Sequence, residues 1–161
     1  PTKDGLSTTA FPSGVRTTPT EINEATAPLI IWRKEYRLDS AGAGQHRGGL
    51  GQIIEVAHAA GAPFVVSKMF DRVDHPARGS RGGGDGAPGS VYLKQGGETF
   101  KGKGRDVVPA GGTLVMETPG GAGIGSPIQR DCELIHADLE ADLISRDAAR
   151  ADYGMDGSTR A

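Results

Sequence analysis

The sequence has little of what a disulfide-stabilised, membrane-spanning or nucleic-acid-binding protein needs. It contains one cysteine, Cys132, so no internal disulfide can form, which favours a reducing, cytoplasmic location. Its longest apolar run, residues 27–32, is too short to cross a bilayer. Its 18 basic and 20 acidic residues leave a net charge of −2, whereas nucleic-acid-binding arms and membrane-surface segments carry a basic excess. We therefore expect neither nucleic acid nor a membrane as a partner.

Aromatic residues are also scarce, at 5% of the chain, whereas glycine and proline are abundant. The 26 glycines and 10 prolines among 161 residues lie far above the roughly 12% that the pair contributes to average proteins. A helical bundle is excluded, because both residues destabilise helix interiors. The chain begins at Pro1 and reads as part of a longer protein, so we expect other structure to help order its loops.

The uneven distribution of glycine divides the chain into zones, since 22 of the 26 glycines lie in residues 42–125. The first zone contains turn signals at 11–14 and a short helix predicted at 21–25, which Pro19 is placed to open. The zones are a polar extended segment that packs on other structure (1–26), a glycine-rich β region (27–125), a C-terminal helical pair (126–155) and a frayed tail (156–161).

Short segments of the β region have the apolar and polar alternation of half-buried strands. The predicted strands are residues 29–38, 52–58, 63–70, 90–94, 98–100 and 113–118. No amphipathic helix separates them, so the sequence predicts a mainly β fold, an antiparallel sandwich or barrel. The expected core comprises Ile30, Trp32, Tyr36, Ile53, Val65, Phe70, Val91, Leu114 and Met116.

The last zone changes to a helical period. Asp131 is placed to cap a first helix. Ser145 is placed to cap a second helix at 146–153, and Gly154 to end it in the left-handed conformation. The apolar stripe of the first helix would comprise Leu134, Ile135, Leu139, Leu143 and Ile144.

Two glycine motifs lack the context of the functions that their spacing suggests. Residues 84–89 have the spacing of a dinucleotide-binding loop, but Pro88 and a predicted strand follow where a helix must begin. Residues 97–104 come close to a phosphate-binding loop, but Gly104 stands where a serine or threonine must hold Mg²⁺. For the second motif we predict a hairpin with basic turn residues.

The histidines show no zinc-binding spacing. Cys132 and His136 share one face of the first predicted helix, but two ligands are too few for a metal. The other histidines are His46, His58 and His75. We expect no complete metal site in this chain and no nucleophilic role for the cysteine.

A loop at 42–51 places five glycines around His46 and Arg47. Arg47 suits bidentate recognition of a carboxylate or phosphate, so both residues are candidates for substrate binding. The alternative is a sharp corner between strands in which Arg47 pairs internally. A second glycine cluster, at 120–125, could bind an anion through backbone amides or allow another domain to approach closely.

The polar first zone holds further substrate-binding or interface candidates. The Arg16 guanidinium could reach a carboxylate, carbonyl or phosphate group. The hydroxyls of Ser13, Thr17 and Thr18 could orient the same group, and Glu21 could fix an arginine. The alternative is that this zone docks on other structure and Arg16 pairs there. The sequence identifies no catalytic residue.

In their order along the chain, several segments resemble one known family. The segments are FPSGVRTTPTE at 11–21, YRLDSAGAGQHRGGLG at 36–51, GGDGAPG at 83–89, TPGGAGIGSP at 118–127 and ISRDAARADYG at 144–154. Together they resemble the C-terminal part of the hydantoinase B family, which includes the corresponding part of 5-oxoprolinase. The family usually has glycine, tyrosine and aspartate where this sequence has Ala122, Ile124 and Ser126.

The resemblance implies the C-terminal part of the B-type subunit of an ATP-dependent cyclic-amide hydrolase, which opens hydantoins, lactams or 5-oxoproline. It implies as partners the N-terminal remainder of that subunit and an ATP-binding A-type subunit, in a higher hetero-oligomer. The implied cofactors are ATP and a divalent metal, Mg²⁺ with Mn²⁺ or Zn²⁺ as alternatives, neither bound wholly by this chain, which alone is expected to be inactive. The alternatives are a subunit of an ATP-dependent acetone or acetophenone carboxylase, or a non-catalytic assembly module.

Overall fold

The computed structural model describes residues 2–9 and 17–155. The predictions for 11–14 and 156–161, and the candidates Ser13 and Arg16, lie outside these residues. In chain order the elements are α1 (Thr20–Thr26), β1 (Leu29–Tyr36), β2 (Gln52–His58), β3 (Phe64–Met69), β4 (Ser90–Leu93), β5 (Lys103–Val108), β6 (Thr113–Glu117), a 3₁₀ turn (Pro127–Gln129), α2 (Cys132–Glu140) and α3 (Arg146–Tyr153).

The strands form two antiparallel sheets. The larger sheet has the order β1-β2-β6-β4, and β3 pairs with β5 in a two-stranded sheet. Val91, Leu93 and Leu114 lie on one face of the larger sheet and pack with Val108 of β5 in one buried cluster. The mainly β, antiparallel architecture predicted from the sequence is therefore confirmed.

The strand predictions fail at one place in the sequence, residues 98–108, where β5 was not predicted. Residues 98–100 form no strand but a single bridge from Thr99 to Tyr92, because Gly96 and Gly97 turn the backbone just before, with φ of 82° and 69°. The end of the hairpin predicted at 97–104 is instead the start of β5. Lys103 and Gly104 are residues typical of a turn, and this segment becomes a strand only because it pairs with β3.

The predicted core is right in the sheet interior and wrong at its margins. Ile53, Val91 and Leu114 are buried, and Ile30, Phe70 and Met116 are half-buried. Trp32 and Tyr36 are exposed because β1 is an edge strand, whose register shifts between Ile31 and Arg33. Val65 is exposed because alternate residues of β3 point away from the larger sheet.

The helix ends follow the predicted caps. Pro19 precedes α1, and the side chains of Asp131 and Ser145 each accept a backbone N–H in the first turn of α2 and α3. Gly154 ends α3 with φ of 69°. The apolar stripe predicted for the first helix extends beyond that helix, because α2 ends at Glu140 and Asp142 then turns the chain with φ of 52°.

A second core lies between the C-terminal helices. Ile135 of α2 packs with Ile144, Ala149 and Tyr153, all of them buried. Ile144 therefore packs against Ile135, as the predicted stripe implies, although it lies beyond the end of α2. In residues 2–9 and 17–155, no helix has the length and apolarity needed to cross a bilayer.

Candidate functional site

Three glycine-rich loops, residues 40–51, 79–89 and 118–125, meet in one backbone assembly that we call the glycine lattice. Gly42 N–H donates to the Gly121 carbonyl at 2.8 Å, and Gly121 N–H donates to that of Gly49 at 2.8 Å. Gly84 N–H donates to the Ala43 carbonyl at 2.7 Å. The loops are far apart in sequence, so these bonds fix their relative positions.

The lattice needs glycine because its backbones approach too closely for side chains. A Cβ at Gly120 would lie 1.7 Å from the Ser40 carbonyl oxygen, and one at Gly123 would lie 1.9 Å from that of Ala43. Both distances are about half a normal van der Waals contact. The glycine cluster at 120–125 therefore allows close approach, and what approaches is another loop of the same chain.

Four buried or half-buried charged residues form an arginine–aspartate network beside the lattice: Asp4, Arg47, Arg130 and Asp138. Arg47 binds the Asp138 carboxylate with Nε and Nη2, both at 3.0 Å, and donates from Nη1 to the Gly48 carbonyl at 2.8 Å. Arg130 donates to Asp138 at 2.7 Å and to both oxygens of Asp4 at 2.7 Å. The backbone N–H of Arg47 donates to the Asp4 carboxylate at 2.8 Å.

The network shifts the pKa of the Asp4 carboxyl and that of the Arg130 guanidinium. Burial by itself would raise the pKa of the Asp4 carboxyl, but the hydrogen bonds and positive charge of Arg130 outweigh it, so the pKa lies below its ordinary value. Burial would lower the pKa of the Arg130 guanidinium, but the carboxylates of Asp4 and Asp138 raise it. Arg130 also lies 5.9 Å from the centroid of the Tyr153 ring. All of these charges are thus held inside the fold.

The position of Arg47 favours the internal-pairing alternative. Its side chain is 7% exposed and its guanidinium contacts Asp138 and Gly48. The partner of Arg47 is not evident from the sequence, because Asp138 is 91 positions away. A signal was present, since Asp138 follows Ile135 by three residues and so falls on the buried face of α2.

A cleft of about 710 Å³ opens beside the glycine lattice. His46 lines it, and the backbone of His46 is fixed by two hydrogen bonds to that of Ile124, at 2.9 and 3.0 Å. Lys3, Thr8 and Arg72 also line the cleft. It therefore joins the N-terminal segment, the lattice and the loop that follows β3.

The remaining site candidates lie elsewhere. Thr17, Thr18 and Glu21 are exposed at the start of α1 and are not among the lining residues of the cleft. Cys132 and His136 are exposed on α2. Within the part of the chain that the structure describes, no three His, Cys, Asp or Glu side chains are grouped to hold a metal ion, so the expected divalent metal is assigned to no residue here.

Comparison with protein families gives one match over most of the chain. The family model described as hydantoinase B/oxoprolinase matches residues 1–127. The chain is 38% identical to 5-oxoprolinase 1 of Arabidopsis thaliana over 119 residues, which are 72% of this chain and 9% of that protein. It is 30% identical to caprolactamase subunit beta of Pseudomonas jessenii over 142 residues, 84% of this chain and 24% of that subunit.

Solved structures contain the same fold. The crystal structure of ATP-dependent caprolactamase from Pseudomonas jessenii superimposes with a TM-score of 0.76 at 25% identity, over 91% of this chain and 27% of that chain. The nucleotide-free structure of acetone carboxylase gives a TM-score of 0.78 at 17% identity, over 94% of this chain and 25% of that one, a likeness of fold alone. The chain thus spans about a quarter or less of each of these proteins.

Replacing Gly120 with alanine should destabilise the protein strongly, because the new Cβ would overlap the Ser40 carbonyl. We expect a loss of about 3 kcal/mol or more in the free energy of unfolding, measured by urea denaturation. Gly84→Ala is the matched control, since its Cβ would lie 3.3 Å from the nearest atom, Ala43 N. Equal losses in the two variants would contradict this account of the lattice.

Asp138→Asn should be costly, because it leaves Arg47 and Arg130 buried without the carboxylate that joins them. Breaking a buried ion pair at one partner costs about 3–5 kcal/mol. The control is Asp147→Asn, which removes an exposed carboxylate 3.5 Å from Arg150 and should change stability far less. A small effect at Asp138 in urea denaturation would show that the network is not a main source of stability.

The network should also be sensitive to acid. Because the pKa of Asp4 is lowered in the fold, its carboxylate stabilises the protein above the ordinary value of 3.8, and that contribution is lost as the pH falls below it. Asp4→Asn should therefore destabilise the protein at neutral pH and flatten the decline in stability below about pH 4. Unfolding curves recorded between pH 7 and 3 test this, and parallel profiles for the two proteins would contradict it.

Proposed function

The chain belongs to the hydantoinase B/oxoprolinase family, and from that premise we propose that it forms part of the B-type subunit of an ATP-dependent cyclic-amide hydrolase. The proposed substrates are hydantoins, lactams or 5-oxoproline. The observation that carries the proposal is the position of the cleft: its lining residues run from Lys3 to Ile124, entirely within the family match over residues 1–127. The cleft is thus built from the part of the chain that the family shares.

The chemistry explains why such an enzyme would need ATP. The carbon of an unstrained amide is a poor electrophile, and transfer of a phosphoryl group to the amide oxygen makes it susceptible to water. In the net reaction, cyclic amide, ATP and water give the ring-opened amine and carboxylate with ADP and phosphate. The role of this chain would be to bind and orient the ring beside the site of phosphoryl transfer.

The partners and cofactors follow from the same proposal. An A-type subunit would bind ATP, and the N-terminal remainder of the B-type subunit would complete this chain in a hetero-oligomer. The relative named caprolactamase subunit beta supports partner subunits. Mg²⁺, Mn²⁺ or Zn²⁺ would be held outside the residues described here, the chain alone would be inactive, and the single cysteine supports a cytoplasmic location.

Two further candidates remain, and each has a supporting observation. The fold shared with acetone carboxylase supports a subunit of an ATP-dependent ketone carboxylase. An assembly module is supported by the arginine–aspartate network, whose charges contact one another inside the fold. The cyclic-amide hydrolase is favoured because the caprolactamase relative is 30% identical, whereas the carboxylase likeness rests on 17%.

The test is an assay of the complete complex. With ATP and a hydantoin, a lactam or 5-oxoproline, we expect ring-opened product and ADP in equal amounts, and no product when ATP is omitted. The parallel reaction contains ATP, bicarbonate and acetone or acetophenone. Product that forms only with bicarbonate would overturn the hydrolase proposal and support the carboxylase.

A further inference from the structure

The charged side chains that line the cleft are all basic. The described residues that line it include Lys3, Arg72 and His46, together with Arg47, whose charge is paired with Asp138, and no aspartate or glutamate. Composition does not explain this, because the whole chain has more acidic than basic residues, with a net charge of −2. A cleft lined in this way favours an anion over a neutral or cationic ligand.

Asp4 and Asp138, the two aspartates of the network beside the cleft, are already bound. Asp4, next to Lys3 in sequence, accepts two hydrogen bonds from Arg130, and Asp138 is held by Arg47 and Arg130. Within residues 2–9 and 17–155, the side chains of Lys3 and Arg72 make no ion pair or hydrogen bond. Their positive charges are therefore left for a ligand.

The backbone also holds two of the lining residues in an uncommon conformation. Arg72 has φ of 56° and Thr8 has φ of 49°, in the left-handed region that glycine adopts without cost. Gly89 N–H donates to the Arg72 carbonyl at 3.0 Å and fixes that residue in place. Strained residues of this kind concentrate at ligand-binding sites, where the position of the side chain matters more than the cost.

We propose that the cleft binds an oxyanion, a carboxylate or a phosphate group, between Lys3 and Arg72. The lysine supplies a compact charge and the arginine a planar pair of donors, while Thr8 and His46 add hydrogen-bonding groups at the same cleft. The inference rests on the proposed function, in which the oxyanion is either a carboxylate of the cyclic amide or the phosphate that activates it.

The first experiment titrates the complete complex with inorganic phosphate, followed by calorimetry. Arg72→Asn removes the charge, while asparagine tolerates the left-handed backbone. Because a charged hydrogen-bonding partner is lost, we expect phosphate to bind about 10- to 100-fold more weakly. Arg81→Asn is the matched control: Arg81, like Arg72, is exposed and has a left-handed φ, 53°, but it does not line the cleft.

The second experiment identifies the source of the oxyanion with two lactams that differ only in a carboxylate, 5-oxoproline and 2-pyrrolidinone. If Arg72→Asn raises the KM for 5-oxoproline at least tenfold and leaves that for 2-pyrrolidinone unchanged, the cleft binds the substrate carboxylate. If phosphate binding weakens and both KM values stay unchanged, the cleft binds the phosphate group. Either result supports an oxyanion site.

The proposal is overturned if Arg72→Asn and Lys3→Gln both bind phosphate as tightly as Arg81→Asn and also leave the KM for 5-oxoproline unchanged. Its failure is distinguishable from failure of the proposed function. A complex that opens no cyclic amide would refute the function, and the phosphate titration would still decide whether the cleft binds oxyanions.

Discussion

Contact of backbone against backbone in the glycine lattice is the constraint on which the rest of the structure depends. The Gly120 Cα lies so near the Ser40 carbonyl that a methyl group has no space. The hydrogen bonds of Gly42, Gly84 and Gly121 then join three loops into one body. Because His46 and Arg47 belong to one of these loops, the lattice places both the cleft and the arginine–aspartate network.

The network adds an electrostatic link where the lattice ends. Asp138 lies on α2, Arg130 follows the 3₁₀ turn, and Asp4 lies in the N-terminal segment. Two arginines and two aspartates alternate, so that each charge has an opposite neighbour whose attraction offsets the cost of its desolvation. The same pairing removes the nearby acids from the cleft, which leaves the cleft basic.

The sequence predicts local structure well and distant contacts poorly. The strand at 52–58 and the caps at Asp131 and Ser145 depend on neighbouring residues, and the structure matches them. β5 was missed because its extended form depends on pairing with β3. The basic cleft could not be predicted either, since Lys3 and Arg72 line the same cleft only after the chain folds. The sequence marks Arg47 as a candidate for substrate binding or internal pairing, but the residues near it in sequence do not indicate that Asp138 is its partner.

The long sequence separations within the network bear on how the protein folds. Asp4 and Arg130 are 126 positions apart, and Arg47 and Asp138 are 91 apart. Loops of that length close slowly, since their ends must find each other before any contact compensates for the lost chain entropy. Until they close, two arginines and two aspartates meant for the interior stay hydrated at the surface. A nascent chain therefore cannot complete this domain until α2 has left the ribosome.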